Sequence, residues 1–224
     1  MQSHILQYIA MGKIKEYFGT IPSGEAFPPL TIRDPEPAGE KRFIVKRKDA
    51  PNLMTIAFKT PEVGHPRLFA LDIAEGVLNG RSGRLYKRLV EEEKLAVSVR
   101  AANSPNKYVS EFSISVQLRP DASLEKAEKI IWEELERLKN EPVSLREFQK
   151  VKNNSYASIV RSLRDMENVA TMLAWYEIFG DYKIFLSWAE KLDSVSVENV
   201  QEAAKETFKK ELSVNGILLG TQGE

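Results

Sequence analysis

Cysteine is absent from the sequence and histidine occurs only twice, and both shortages limit the chemistry open to the chain. Without cysteine, disulfide bonds and thiolate metal sites are excluded. The two histidines, His4 and His65, lie far apart, and neither belongs to an H-x-x-E-H or H-E-x-x-H motif, in which one helix presents two ligands to a metal. A catalytic zinc normally needs three protein ligands. We therefore predict no metal site within this chain, and we expect His65 to be a solvated loop residue.

An excess of charge of one sign is also missing, because Lys plus Arg and Asp plus Glu number 32 each. This balance gives no reason to expect a nucleic acid or a membrane surface as a partner. No apolar run is long enough to span a bilayer, and the first residues carry too little positive charge for a signal peptide. The compartment, cytoplasmic or periplasmic, therefore stays open.

The common catalytic motifs are missing as well. There is no cysteine nucleophile and no G-x-S-x-G, the turn that exposes a hydrolase serine. The segment Asn79–Gly83 lacks both phosphate-binding glycine patterns and follows a predicted helix, so a helix–loop–helix corner is favoured over an anion site. The acidic run Glu91–Glu93 is interpreted as a solvated helix face. The residues alone indicate an α+β domain without a visible active site.

Proline divides the chain into three parts. Residues 1–18 have loosely helical apolar spacing and are predicted to form a helix that stops at Gly19. Five prolines within residues 19–40 exclude a continuous helix and indicate an extended linker. Residues 41–224 are predicted to form the main domain. Residues 1–18 are interpreted either as the last helix of a preceding domain or as a non-native arm.

Within the main domain, periodicity predicts segregated strands and helices. The predicted strands are residues 42–48, 52–60, 95–100, 112–118 and 212–219. The predicted helices are residues 67–78, 84–93, 123–139, 144–180, 182–192 and 196–209, with Ser123, Ser144 and Ser196 as N-caps. Because strands and helices do not alternate, we expect an α+β fold with a largely antiparallel sheet and helices packed on one face.

The same periods assign individual side chains to the core. Leu95, Val97 and Val99 are expected to point inward from one strand. Leu163 and Met166 are expected on the inner side of the long helix. The aromatic residues at positions 175, 176, 179, 182, 185 and 188 are attributed to packing between helices rather than to a ligand platform.

Basic residues gather around the predicted corner, at Arg81, Arg84, Lys87 and Arg88. Spread by helical geometry, they could meet an acidic partner or a peptide carboxylate. Arg81, Arg84 and Arg88 are therefore candidate interface or peptide contacts, and plain solvent exposure is the alternative.

Three segments together resemble the pitrilysin/insulinase family of zinc metallopeptidases, of the mitochondrial-processing-peptidase-like kind. KIKEYFGTIPSG, at residues 13–24, is similar to the last helix of the family's zinc-bearing domain and the connection that follows. LNGRSGRLYKRLVEEEKLAVSV, at residues 78–99, is similar to the second domain's helix, loop, helix and strand. Residues 124–153 and 195–208 resemble its helical tail. The order of the segments matches the C-terminal domain of a zinc-bearing type of subunit.

The resemblance implies a fold, a cofactor and partners. Family subunits hold two homologous domains, each an antiparallel sheet backed by helices, and two subunits or a tandem chain close into a chamber. Zinc binds the H-x-x-E-H motif of the first domain and activates water for attack on a peptide carbonyl. By this resemblance zinc belongs to the parent protein, upstream of Lys13, and this chain holds no cofactor and is inactive alone.

The implied partners are the preceding zinc-binding domain, a second homologous subunit or tandem half, and peptide substrate. The isolated domain is also expected to expose apolar surface where its neighbour docked, which makes a homodimer plausible.

One departure from the family pattern concerns substrate binding. Second domains that complete the site often carry an arginine and a tyrosine seven residues apart, which bind substrate and stabilise the oxyanion. Aligned on LVEEEKLAV, these positions are Val90 and Val97, and neither side chain can donate a hydrogen bond. We hypothesise that the parent subunit held the zinc motif and that another subunit or tandem half supplied the arginine and tyrosine.

Three functions stay open at this point. The chain is a chamber-wall domain of a zinc endopeptidase, or an assembly or binding domain from a non-peptidase member of the same fold family, or an unrelated α+β binding module. An upstream H-x-x-E-H separates the first two. A fully covered sheet face would favour the third.

Overall fold

The computed structural model describes residues 2–25, 28, 30–31, 35 and 37–221, with the side chains of the first helix described from Tyr8 onward. Two compact units are distinguished, Met1–Pro35 and Glu36–Glu224. In the first unit a helix, α1 (Gln2–Phe18), ends where the Gly19 N–H donates to the carbonyl oxygen of Lys15 at 2.9 Å. The side chain of His4 lies outside the described part, as do linker residues 26, 27, 29, 32–34 and 36.

The second unit is built on one five-stranded sheet. Its strands are β1 (Lys41–Lys48), β2 (Leu53–Thr60), β3 (Ala96–Ser104), β4 (Ser110–Leu118) and β5 (Ser213–Thr221). They lie in the order β1-β5-β2-β4-β3, with β1 parallel to β5 and the other three pairs antiparallel. The expected largely antiparallel sheet is confirmed, and β1 and β3 form its edges.

The helices of this unit pack together over the sheet. They are α2 (Pro66–Leu78), α3 (Arg84–Tyr86), α4 (Leu124–Asn140), α5 (Leu145–Ser162), α6 (Met166–Phe179), α7 (Lys183–Leu186), α8 (Trp188–Asp193) and α9 (Val197–Thr207). A π-helical turn, Lys87–Glu92, continues α3, and a 3-10 turn, Lys210–Leu212, precedes β5. α9 contacts α2, α4 and β2, and α2 contacts β3. None of the described helices is long and apolar enough to cross a bilayer.

The core lies between these helices and one face of the sheet, because the central strands alternate strictly. The buried apolar residues of β2 and β4 are Met54, Ile56, Phe58, Phe112, Ile114, Val116 and Leu118. Phe208, just after α9, meets the rings of Phe58 and Phe112 edge-on, with centroids 5.3 and 4.9 Å away. On the opposite face, Glu111 and Ser115 are exposed, so that side of β4 stays open.

The helix ends follow the predicted caps. Ser123, Ser144 and Ser196 each accept a hydrogen bond from a backbone N–H three residues further on. Ser144 and Ser196 form complete capping boxes with Glu147 and Asn199. These short polar side chains fix where α4, α5 and α9 begin.

The single long helix predicted over residues 144–180 is wrong. α5 ends at Ser162, and α6 begins after Asp165, whose carboxylate accepts the Glu167 N–H at 2.9 Å. An aspartate that caps its own downstream N–H groups competes with helix continuation. Leu163 and Met166, expected to point inward, are 48% and 76% exposed. The predicted helix over residues 182–192 is likewise divided, into α7 and α8.

α6 forms an outer layer rather than part of the core. Its sequence is apolar around most of its circumference, yet none of its residues is buried. Trp175 is 53% exposed, so inter-helix packing does not account for it. Trp188 does pack, with its ring 6.4 Å from Phe69. A helix with this composition normally has neighbours on all sides.

Candidate functional site

A tight corner between α2 and α3 is held by Asn79 and two glycines. Gly80 adopts φ = +75°, which glycine tolerates best. A Cβ added at Gly83 would lie 2.1 Å from the carbonyl oxygen of Asn79. The Asn79 side chain donates to the Ala101 carbonyl at 2.6 Å and accepts the Ala101 N–H at 2.8 Å. It thereby satisfies the Ala101 backbone in the way that the backbone of a neighbouring strand would. The predicted helix–loop–helix corner is therefore present and tied to β3.

The helix predicted after the corner is α-helical for one turn and π-helical from Lys87 to Glu92. Leu89 is fully buried, and its carbonyl accepts the Leu95 N–H at 2.9 Å, which directs the chain into β3. π-helical turns are rare and occur often at functional sites. This turn lies inside the segment that the family resemblance links to substrate binding.

Val90 and Val97 occupy different environments. Val90 is half-buried in the π-helical turn and packs against the core. Val97 lies at a β-bulge, where the pairing of β3 with β4 is interrupted, and it is 55% exposed. The expectation that Val97 points inward with Leu95 and Val99 is wrong, because the bulge shifts the alternation and Ala96 is buried instead.

Arg84 is held inside the chain. Its guanidinium donates two hydrogen bonds of 2.9 Å to the two carboxylate oxygens of Glu147, and its side chain is only 10% exposed. The Ser144 hydroxyl donates to the same carboxylate at 2.7 Å. Arg84, and then Ser144, hold the pKa of Glu147 at about 2. Arg84 thereby ties α3 to the start of α5.

Arg88 and Arg81 complete the predicted basic cluster. Arg88 bridges Glu133 and Glu134 at 2.7 and 3.2 Å, which links the π-helical turn to α4. Arg81 is exposed in the corner. Carboxylates of the same chain therefore engage two of the three arginines, and Arg81 is the most accessible of them. Their contact with a partner or a peptide stays a prediction.

His65 caps a helix instead of lying free in a loop. Its Nδ1 accepts the Arg67 N–H at 3.1 Å, and Pro66 occupies the first helical position. Among the residues that the structure describes, no group of three His, Cys, Asp or Glu side chains could hold a metal ion. The described residues therefore offer zinc no site.

A polar network between α2 and β3 was not predicted. Asn103 donates from its side chain to Asp72 at 2.7 Å and from its backbone to Glu75 at 3.1 Å. Asn79 also donates to Glu75, at 3.3 Å. Burial raises the pKa of Asp72 to about 7 and raises that of Glu75 as well. The sequence did carry a sign of this network. Asp72, Glu75 and Asn79 are three and four residues apart, so a helix places these polar side chains on one face among apolar residues.

A groove of about 420 Å³ opens beside this network, between α2, α5 and α6. Asp72 and Glu75 line one wall, and Tyr176 and Trp188 line another. Burial, and then the Asp72 carboxylate, raise the pKa of Tyr176. The network holds the end of α2 against the sheet. Because the pKa values of Asp72 and Glu75 are raised, a change of pH toward neutrality changes their protonation.

The corner, the π-helical turn and the bulge all lie within a segment that matches a known protein family. Residues 9–155 match the family described as the peptidase M16 inactive domain. Zinc protease PqqE of Helicobacter pylori is 27% identical over 188 residues, covering 83% of this chain and 42% of PqqE. The uncharacterized zinc protease YmxG of Bacillus subtilis is 26% identical over 205 residues, covering 90% of this chain and 49% of YmxG. The chain spans about half the length of these curated relatives.

The fold agrees with a solved relative. The crystal structure of a protease from Helicobacter pylori superimposes with a TM-score of 0.87 at 24% identity, covering 93% of this chain and 51% of that one. The family match extends from α1 into α5 and includes the whole corner-to-bulge segment. The resemblance drawn from the sequence is thus confirmed. The chain belongs to the peptidase M16 family, as its inactive domain.

Proposed function

We propose that the chain is the non-catalytic C-terminal half of a zinc metalloendopeptidase, where it forms part of the chamber wall and contacts peptide and the zinc-bearing domain. The division into a leading helix (1–18), a linker (19–40) and an inactive domain (41–224) is part of this proposal. The observation that carries it is an open sheet face ending in a basic edge strand, β1, whose outer edge pairs with no other strand in the described part of the chain. Zinc would be held by the other half of the parent protein.

The open face of the sheet is polar on its β4 side and more apolar toward β1. Thr55 and Ser115 share a hydrogen bond of 3.0 Å across β2 and β4, and Glu111 is exposed beside them. Gly216 of the neighbouring β5 leaves room for the Phe43 ring, which lies 2.7 Å from where a Cβ would be. Toward β1 this face also carries Val45, Leu53, Val214 and Leu218. Toward β4 it is small and polar, with Glu111, Ser113, Ser115 and Gln117, so the polar part suits a hydrated cavity and the apolar part suits contact with apolar peptide side chains.

β1 supports the proposed peptide contact. All of its residues, Lys41–Lys48, are exposed, and one backbone edge pairs with no other strand in the described part of the chain. Such an edge can accept an extended peptide as an added strand. The strand sequence is KRFIVKRK, with three apolar side chains between basic ones. A peptide strand with acidic residues would therefore be favoured, and salt would weaken it.

Peptide binding at β1 is testable on the parent protein carrying its zinc-bearing half. The double variant Lys46→Glu/Arg47→Glu should raise the KM for an acidic peptide several-fold, with little change for a neutral one. The matched control Lys107→Glu/Arg119→Glu changes the same charges away from β1. Equal KM values for β1 variant and control would remove the support for peptide contact.

A further inference from the structure

The outward side of α6 is an apolar surface that no described residue of its own unit covers. Seven large apolar side chains of α5, α6, α7 and their connections are 42–76% exposed: Val160, Leu163, Met166, Trp175, Ile178, Tyr182 and Leu186. At roughly 100 Å² apiece they present about 700 Å², close to the ~800 Å² that each partner contributes to a standard interface. A patch of this size is unusual on a monomer.

We infer that a second copy of this chain covers the surface, with the two α6 helices packed antiparallel about a twofold axis. Self-pairing requires that large side chains meet small ones across the axis. On the outward stripe of α6, an axis near Ala174 and Trp175 places Ala174 opposite Trp175 of the second copy. The same register places Thr171 opposite Ile178. The stripe is therefore complementary to itself.

Charge favours the same antiparallel arrangement. Arg161 and Arg164 lie near the start of α6, are exposed, and form no ion pair among the described residues. Glu177 and Asp181 lie at its other end, where their carboxylates accept only backbone N–H groups in that part of the chain. Antiparallel pairing brings the arginines of one copy toward the acids of the other. Asp165, also at the start, is engaged in capping α6. The exposed Glu167 at the same end would come toward the exposed Lys183 of the second copy.

This surface is separate from the open sheet face and from β1, so the inference does not depend on the proposed function. It gives the homodimer expected from the sequence a specific location, on the helical side of the domain. It also leaves the sheet face free in the dimer.

Sedimentation velocity of the whole chain over about 1–200 µM tests the inference. The chain should dimerise, and Trp175→Glu should raise the dissociation constant at least tenfold. Leu145→Glu, which places the same charge on a side chain that is 77% exposed at the start of α5, should leave it unchanged. A monomer at all concentrations would overturn the inference, and so would a dimer that Trp175→Glu leaves intact.

The lack of cysteine allows a second test that does not disturb the apolar stripe. Ala174→Cys lies at the proposed axis, so oxidised glutathione should cross-link it into a covalent dimer within minutes. Lys46→Cys, on β1, should stay largely monomeric. Equal cross-linking of both variants, or none of the first, would contradict the α6 pairing even if Trp175→Glu failed to fold.

Discussion

Asp72 and Glu147 show how two carboxylates of one fold acquire opposite properties. Asp72 is mostly buried beside Glu75 and receives one amide hydrogen bond, so its charged form is disfavoured. Glu147 receives two hydrogen bonds from Arg84 and two from Ser144, through its hydroxyl and its backbone N–H, so its charged form is favoured. Both residues fix α2 or α3 in place, and each makes the stability of the domain depend on pH.

The wild-type domain should lose stability as pH rises because Asp72 must ionise while buried. Asp72→Asn should not show this loss. The folded pKa of about 7 lies above the unfolded value, so between about pH 4 and 7 the folded state alone keeps the proton. Wild type should lose about 2–4 kcal/mol over this range through Asp72, and Asp72→Asn should lose none of it. Urea unfolding at several pH values measures this, with the exposed Asp121→Asn as control. Parallel curves for wild type and Asp72→Asn would contradict it.

Glu147→Gln should act at the acidic end of the pH range. Because the folded pKa of about 2 lies below the unfolded value, the carboxylate stabilises the fold above about pH 4.5 and loses this effect as pH falls toward 2. With allowance for its partial exposure, the loss at pH 7 should be about 1–2 kcal/mol. Thermal unfolding between pH 2 and 7 checks this. The exposed pair Arg137–Glu141 supplies the control Glu141→Gln, which should change stability much less.

At the scale of elements, local capping was predictable and interruptions were not. The caps at Ser123, Ser144 and Ser196 follow from residue type and spacing. The break after Ser162 was missed because apolar spacing continues through it, while the capping by Asp165 becomes visible only once the helix has ended there. The bulge that turns Val97 outward was missed for a related reason, since period-two alternation assumes an uninterrupted ladder.

The corner between α2 and α3 gives a prediction at this scale. Gly83→Ala should destabilise the domain by about 3 kcal/mol or more, because the added methyl would collide with the backbone of Leu78 and Asn79. Gly80→Ala meets open space and only a strained φ, so it should cost about 1 kcal/mol. Chemical denaturation of both variants compares them directly. A smaller loss for Gly83→Ala than for Gly80→Ala would refute the steric account of the corner.

At the scale of the whole molecule, the fold class was predictable because segregated strands and helices leave few architectures open. The family was predictable only from the resemblance of three segments in their order along the chain. The outer position of α6 could not be predicted, since an apolar helix at the surface of one chain has the sequence of a buried one. The absence of chemistry from this chain stays a prediction; the curated relatives that are named as zinc proteases are about twice as long as this chain.

The proposal to be tested most directly is that this chain is one half of a zinc peptidase and does no chemistry alone. Zinc content and cleavage of a fluorogenic peptide should be measured for the purified chain, for the zinc-bearing half of its parent, and for the two together. The account predicts substoichiometric zinc and no cleavage for the chain, and chelator-sensitive cleavage by the combination that greatly exceeds that of the zinc-bearing half. One bound zinc and chelator-sensitive cleavage by the chain alone would contradict it.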